Sequence, residues 1–386
     1  MILQRVSYLA GIEQEDKESK VQVAHSRGVD LIGESLTWEK VSDDIRRVAA
    51  SDDPVLVTGP SKTGKELVAC ATHNRSQRAG GAFVAMKGPF MSEIDELTQK
   101  LSTTITFLPD KPEETAESTA KALWFAAIGQ PCSVALAQSR TLPALDHTSR
   151  VRLHGLVAMR LAGIPLAHLT ERQSFMGIEL LAGPEALIPR KETEIVGRAA
   201  LAKLHELATS RGKVRVVDVC TGSGNLAVSL AVHQPLCEVW GVDISADAVK
   251  LAERNAALHQ LSSRVSFRQG DLLEPIRSDG FYGSCDLLVC NPPYISSAKV
   301  SDLPAETGSH EPRLAFDGGN FGVTIISRLL KEAPKFLKPA SWLCFEVGLG
   351  QGPYFARAIS KMVEYRTVET FADEQGNVRA LAATRA

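Results

Sequence analysis

Asn291-Pro-Pro-Tyr294 is the stretch whose residue types and order point most directly to chemistry. Pro292 and Pro293 lack an N–H and have a restricted φ, so they hold the Asn291 side-chain oxygen and the Pro292 carbonyl toward one pocket. Two acceptors then face one NH2 group. An amide or aryl amine is a poor nucleophile because its lone pair is delocalised. Two acceptors keep it in line and favour the positive charge that develops as the nitrogen gains a methyl group. Tyr294 is placed to stack on a planar substrate. No strong base is needed to start, since the nitrogen becomes acidic as it is methylated and sheds its proton afterwards. Asn291, Pro292 and Tyr294 are the catalytic candidates, and all four positions, Pro293 included, are candidates for substrate binding.

A second motif, Asp218-Val-Cys-Thr-Gly-Ser-Gly-Asn-Leu-Ala227, follows a strand pattern and opens a helix pattern. Small residues there let a ligand approach the backbone at the positive helix end. An adenosine-containing cofactor is expected. Gly222, Gly224 and Ala227 also satisfy the dinucleotide fingerprint, with Asp243 about twenty residues on to hold a ribose, so the turn by itself leaves a nicotinamide cofactor open.

The elements that must position these motifs read as alternating strands and helices: strands at 214–220, 238–243, 265–269 and 286–289, with helices from Asn225 and Ala246. That order predicts a parallel, doubly wound sheet with both motifs at its carboxyl edge. Strands at 366–371 and 378–384 flank a turn-like Asp373-Glu-Gln-Gly-Asn377 and form an antiparallel hairpin. From 118 to 170 the spacing is helical, with Ala122, Phe125 and Ala126 on one face and Leu153, Val157, Leu161 and Ile164 on another. Before it, the proline- and acid-rich 109–118 marks a domain border. Nearer the start, Ser35 caps a helix through Leu36, Val41, Ile45 and Val48, and 54–58 reads as a buried strand.

Four blocks together resemble the HemK/PrmC family of protein-(glutamine) methyltransferases over residues 115–386. They are Leu187-Ile-Pro-Arg-Lys-Glu-Thr-Glu194, the 218–227 turn, Asn291 to Tyr294, and His310-Glu-Pro-Arg-Leu-Ala-Phe-Asp-Gly-Gly319. The resemblance implies S-adenosyl-L-methionine as cofactor and a seven-stranded, Rossmann-like class I methyltransferase sheet. It implies Thr221, Gly222, Ser223 and Gly224 beside the methionine portion, Asp243 on the ribose hydroxyls, Asp271 and Leu272 near the adenine, and Asn291 touching both cofactor and substrate amide. Residues 187–194 join a helical substrate-recognition domain to the catalytic one, with Pro189 and Arg190 on the cofactor side. The implied acceptor is a glutamine of a peptide release factor, or of a ribosomal protein. Phe321 stands where the family commonly has aspartate, and Cys220 where many members have glycine. A repurposed member acting on a small-molecule amine or amide is therefore a rival reading. Methylation of a nucleic-acid adenine suits the tetrapeptide but not the net charge of −2 and the missing basic tail.

Leu31-Ile-Gly-Glu-Ser35, then 55–69, His73, Ser76, Arg78 and Phe83-Val84, resemble the opening of sigma-54 activator ATPases over about sixty residues, 31–90. Gly59 to Lys65 has a P-loop outline, in which backbone N–H groups cradle phosphates and Lys65 reaches the outer ones. Lys62 replaces the usual glycine, and no later acidic strand end is present to hold magnesium, so ATP hydrolysis is not expected. A fold fragment kept for packing or partner contact is the reading, with an ATP-responsive regulator as its rival from another class. The expected domains are 1–108, 115–185 and 186–386.

Composition sets the outer limits. Hydrophobic residues make up 44% and charged residues 23%, which excludes a wholly disordered chain. Seven cysteines without a CxxC pair read as reduced thiols, and nine scattered histidines have no metal-ligand spacing, so no metal is expected. Cys285 and Cys290, five apart on one strand, should point to opposite faces. Glu311 and Arg313 pair with each other or steady the loop after the tetrapeptide. Early charges from Glu13 and an uncharged run at 122–139 broken by Gly129 and Pro131 argue against a leader or membrane span and for a cytoplasmic protein.

Overall fold

A computed structural model describes residues 4–7, 36–51, 55–58, 65–80, 92–277 and 280–386. They fall in two units, Met1–Phe90 and Met91–Ala386. In the first, β1 (Gln4–Ser7) pairs in parallel with β2 (Val55–Thr58), and α1 (Leu36–Ala49) and α2 (Lys65–Arg75) complete the elements. Ile45 and Val48 are buried, as their spacing on α1 requires. The glycine loop 59–64 lies outside the described residues.

The second unit begins with a helical layer: α3 (Glu93–Thr104), α4 (Ala116–Ala127), α5 (Val134–Gln138), α6 (His147–Leu161) and α7 (Leu166–Thr170). Thr115 and Ser118 form a capping box that starts α4, and Asp146 accepts the Ser149 N–H to start α6. Leu123, Phe125, Leu153, Val157 and Leu166 make the core of this layer, and Ile94 and Leu97 pack α3 against it. The stretch 109–118, expected to be a border, lies inside this unit, whose division from the first falls after Phe90. Lys111 and Ser118 are fully buried. Lys111 Nζ reaches Glu306 Oε1 at 2.7 Å, and Arg160 Nη1 reaches the other oxygen at 2.8 Å. Glu114 sits 3.5 Å from Arg160, its carboxyl pushed up to about 7 by burial. Partners this distant in sequence let acid- and lysine-rich chain enter an interior that composition alone argues against.

A hairpin, β3 (Arg172–Phe175) and β4 (Ile178–Leu181), leads to α8 (Thr193–Arg211). Then follow β5 (Val214–Val219), α9 (Asn225–His233), β6 (Cys237–Asp243), α10 (Ala246–Leu258), β7 (Val265–Gln269) and β8 (Cys285–Cys290). The chain closes with α11 (Ala305–His310), α12 (Thr324–Glu332), β9 (Leu337–Glu346), α13 (Gly352–Ile359), β10 (Tyr365–Ala372) and β11 (Val378–Arg385). The sheet runs β10-β11-β9-β8-β5-β6-β7, parallel from β9 to β7, with β11 antiparallel between β9 and β10. This is the expected doubly wound, seven-stranded sheet. The chain steps outward from β5 to β7 and then returns to β8 on the other side of β5. That switch opens a crevice at the carboxyl ends of β5 and β8, where both sequence motifs emerge.

β9 bulges between Leu337 and Trp342, opposite Cys285 and Leu287 of β8. Cys285 and Cys290 are both buried in one apolar cluster with Val217, Leu288 and Phe345. Among the described residues no helix is long and apolar enough to cross a membrane, and no group of His, Cys, Asp and Glu is arranged to hold a metal.

Candidate active site

β5 ends at a turn in which Cys220, Gly222 and Gly224 all take left-handed backbone, with φ of 58°, 53° and 78°. Asp218 holds this turn from below. Its Oδ2 accepts the Thr221 hydroxyl at 2.6 Å and the Ala227 N–H at 3.1 Å. Burial pushes its carboxyl up to about 7. Asp243, at the end of β6, accepts the N–H of Gly222 (2.8 Å) through Oδ2 and that of Ser245 (2.9 Å) through Oδ1. The Gly270 N–H donates to the Asp243 carbonyl at 2.8 Å, which draws the end of β7 alongside. There Leu272 is buried, and Asp271 pairs with Arg328 of α12 at 2.7 Å.

The ends of β5, β6 and β7 thus bring Thr221 to Gly224, Asp243, Asp271 and Leu272 to neighbouring places. Asp218 Oδ1 and Ser223 Oγ are buried there without a hydrogen-bond partner among the described residues. Open space lies over Gly222, where a side chain would be strained as well as intrusive. Unpaired polar atoms beside an open, left-handed glycine turn at a helix start fit a ligand that carries ribose hydroxyls and charged groups, as S-adenosylmethionine does. Replacing Asp243 by alanine is expected to weaken cofactor affinity about thirtyfold, because a charged acceptor is lost, while turnover at saturating cofactor stays close to normal. Calorimetric titration with S-adenosylmethionine checks this.

Directly after β8, Asn291 Nδ2 donates to the Thr193 hydroxyl at the start of α8 (3.1 Å). That bond fixes which way the amide faces and leaves Oδ1 as the free acceptor. Tyr294 borders the same cavity, but its hydroxyl is committed: it donates to Glu346 Oε1 at 3.0 Å and lies 3.3 Å from Glu192 Oε1. Burial, with the carboxylates of Glu346 and Glu192, holds the phenol well above its ordinary value. The cavity has a volume of about 280 Å³ and is walled by Asn291, Pro292 and Tyr294, by Leu187, Arg190 and Thr193, by Leu303, Pro304, Thr307 and Phe316, and by Leu108 and Pro109 ahead of α4. Pro293 is not on this wall. Its carbonyl faces Gly318, where a Cβ would come within 2.6 Å of it, and a Cβ at Gly322 would overlap the Tyr294 carbonyl. The second glycine block is therefore a backbone-on-backbone brace under the tetrapeptide. Gln351 completes the brace by donating to the carbonyls of Tyr294 (3.1 Å) and Phe321 (3.3 Å). Phe321 itself is 84% exposed with a left-handed φ of 55°.

Arg190 lies on the wall of the cavity that Asn291 and Tyr294 border, locked between Glu311 (2.5 Å) and Asp110 (3.0 Å), because the block 187–194 turns toward the tetrapeptide before α8 begins. Glu311 also accepts the Ile188 N–H at 2.9 Å, so it steadies this wall, and Arg313 pairs with Asp317 instead. Thr193, Glu192, Glu346 and Arg379 are functional candidates that sequence reasoning did not single out. Glu346 ends a strand that went unread, and a carboxylate at the carboxyl edge of a parallel strand is the signal that would have marked it. Substituting valine for Thr193 frees the Asn291 amide to rotate, so turnover is expected to fall about tenfold with little change in cofactor affinity.

Residues 210–367 match the methyltransferase domain family, and residues 31–99 match the Sigma-54 interaction domain family. Three relatives share the name release factor glutamine methyltransferase. The protein of Geobacter sulfurreducens is 36% identical over 259 residues, 67% of this chain and 86% of that one. That of Moorella thermoacetica is 36% identical over 262 residues, 68% of this chain and 88% of the other. That of Bacillus subtilis is 35% identical over 267 residues, 69% and 91% of the two chains.

Proposed function

This chain belongs to the release factor glutamine methyltransferase family, and from that premise we propose that it methylates the side-chain amide nitrogen of a glutamine in a peptide chain release factor. S-adenosylmethionine is the cofactor, and it supplies an electrophilic methyl group. Thr221 to Gly224, Asp243, Asp271 and Leu272 hold it in this reading. The observation that carries the substrate half is the Asn291–Thr193 hydrogen bond, which commits Nδ2 and leaves Oδ1 as the acceptor of a residue that borders the cavity. With the Pro292 carbonyl it takes the two N–H groups of a primary amide and holds the nitrogen for attack. Tyr294 contributes its ring face, and its hydroxyl is anchored on Glu346.

The decisive experiment incubates the protein with methyl-labelled S-adenosylmethionine, a release factor and an extract of small molecules. Label on one release-factor glutamine, found by peptide mass spectrometry, is the expected result. Label confined to a small molecule overturns the choice of acceptor and favours the biosynthetic reading. For residues 31–90 the sequence likeness and the parallel β1–β2 pair support a partial P-loop fold used for packing or partner contact.

A further inference from the structure

The nitrogen that gains a methyl group must lose a proton in the cavity that Asn291 and Tyr294 border. Three carboxylates border that cavity: Asp110, Glu192 and Glu346. Asp110 is paired with Arg190, and Glu192 Oε2 with Arg379 at 2.5 Å. Glu346 is different. Its Oε1 takes the Tyr294 hydroxyl, whereas its Oε2 is buried with no partner in full hydrogen-bond geometry among the described residues, the Thr193 hydroxyl lying close to the carboxylate. Its place follows from the sheet: Cys290 of β8 lies opposite Phe345 of β9, so the next residues, Asn291 and Glu346, leave neighbouring parallel strands side by side.

Resting on the glutamine-methylation reading above, we propose that Glu346 Oε2 accepts the proton that the substrate amide sheds on methylation. The amide nitrogen forms a bond to the methyl carbon while the carbon–sulfur bond breaks and its electron pair stays on sulfur. The nitrogen then carries one hydrogen more than the neutral N-methyl amide. That hydrogen passes as a proton to the Glu346 carboxylate, leaving a neutral product amide and a neutral carboxyl, which returns the proton to solvent as the product leaves. Burial pushes the Glu346 carboxyl up to about 7, with Glu192 adding to the rise and Thr193, Tyr294 and Arg379 opposing it. A base so placed takes the proton from a far stronger acid and still releases it near neutral pH.

The test compares wild-type protein with Glu346→Gln and Glu346→Asp, using a release factor as substrate from about pH 5 to about pH 9. Wild-type turnover is expected to fall about tenfold per pH unit on the acid side of neutrality. Glu346→Gln should lose that limb and turn over about a hundredfold more slowly at unchanged KM, whereas Glu346→Asp should keep the limb. Wild-type rate and acid limb in Glu346→Gln overturn the inference while leaving the glutamine reading intact. Absence of release-factor methylation by the wild type counts against that reading instead. Carbon-13 NMR of glutamate-labelled protein without cofactor decides independently: a carboxyl titrating near neutrality and absent from Glu346→Gln is expected, and a Glu346 signal charged down to about pH 5 overturns the inference.

Discussion

Replacing Asn291 by alanine lowers methyl transfer by about a thousandfold and leaves affinity for S-adenosylmethionine within about twofold, the expected result if the side chain orients the nucleophile. In the proposed reaction the amide oxygen is one of two acceptors for the substrate NH2. Without it the nitrogen is free to rotate, and the positive charge that develops on it loses a fixed dipole. The Asp218–Thr221 clamp and the Asp243–Gly222 bond do not pass through Asn291, so the cofactor turn keeps its shape. The measurement is single-turnover transfer beside calorimetric cofactor binding. Turnover within tenfold of the wild type would remove Asn291 from the reaction.

The second large effect concerns stability. Glu306 binds two cations that are almost fully buried, Lys111 and Arg160, one on each carboxylate oxygen. Its replacement by alanine leaves both cations in the interior with Glu114 as the one carboxylate facing them among the described residues, and is expected to cost about 3–5 kcal/mol of unfolding free energy. Burial alone would raise the Glu306 carboxyl, but Lys111 and Arg160 outweigh it and hold the group below its ordinary 4.5. A depressed carboxyl stabilises the folded chain above its unfolded value and loses that contribution as pH falls through the lower, folded one. Denaturant unfolding of wild type and Glu306→Ala should therefore differ most near neutral pH and converge in acid. A gap that does not narrow in acid would assign the loss to packing and not to charge.

How much could be read beforehand depended on range. The glycine turn and the tetrapeptide were legible as motifs because consecutive residues set the backbone where β5 and β8 end. The strands β5 to β8 were legible as short apolar runs. β9 was not, because Pro339 and Ala340, the latter with a φ of 56°, interrupt its first half. The β3–β4 hairpin was hidden for a similar reason. Its turn places Met176 in left-handed backbone before Gly177, a position where Asn or Asp is the recognisable signal. Glu306 with Lys111, and Glu346 with Tyr294, lie beyond any window of spacing, since each pair is assembled only by the sheet and its helical layer. The surroundings of Arg190 were not legible, because the course of a connecting segment is decided by Glu311 and Asp110, one on each side of it in sequence.

The Glu306 tie also orders events during synthesis. Helices α3 to α7 leave the ribosome as a segment able to gather its own apolar core, yet Lys111 and Arg160 must wait for a partner 195 and 146 residues further along. Until then their desolvation is uncompensated, so these two side chains stay in water and the early helices remain loosely docked. The layer that contributes Leu108 and Pro109 to the cavity beside Asn291 consequently tightens only after Asn291 and its loop have been made. A nascent chain halted before Glu306 should hold a mobile helical cluster, and one released beyond it a closed one.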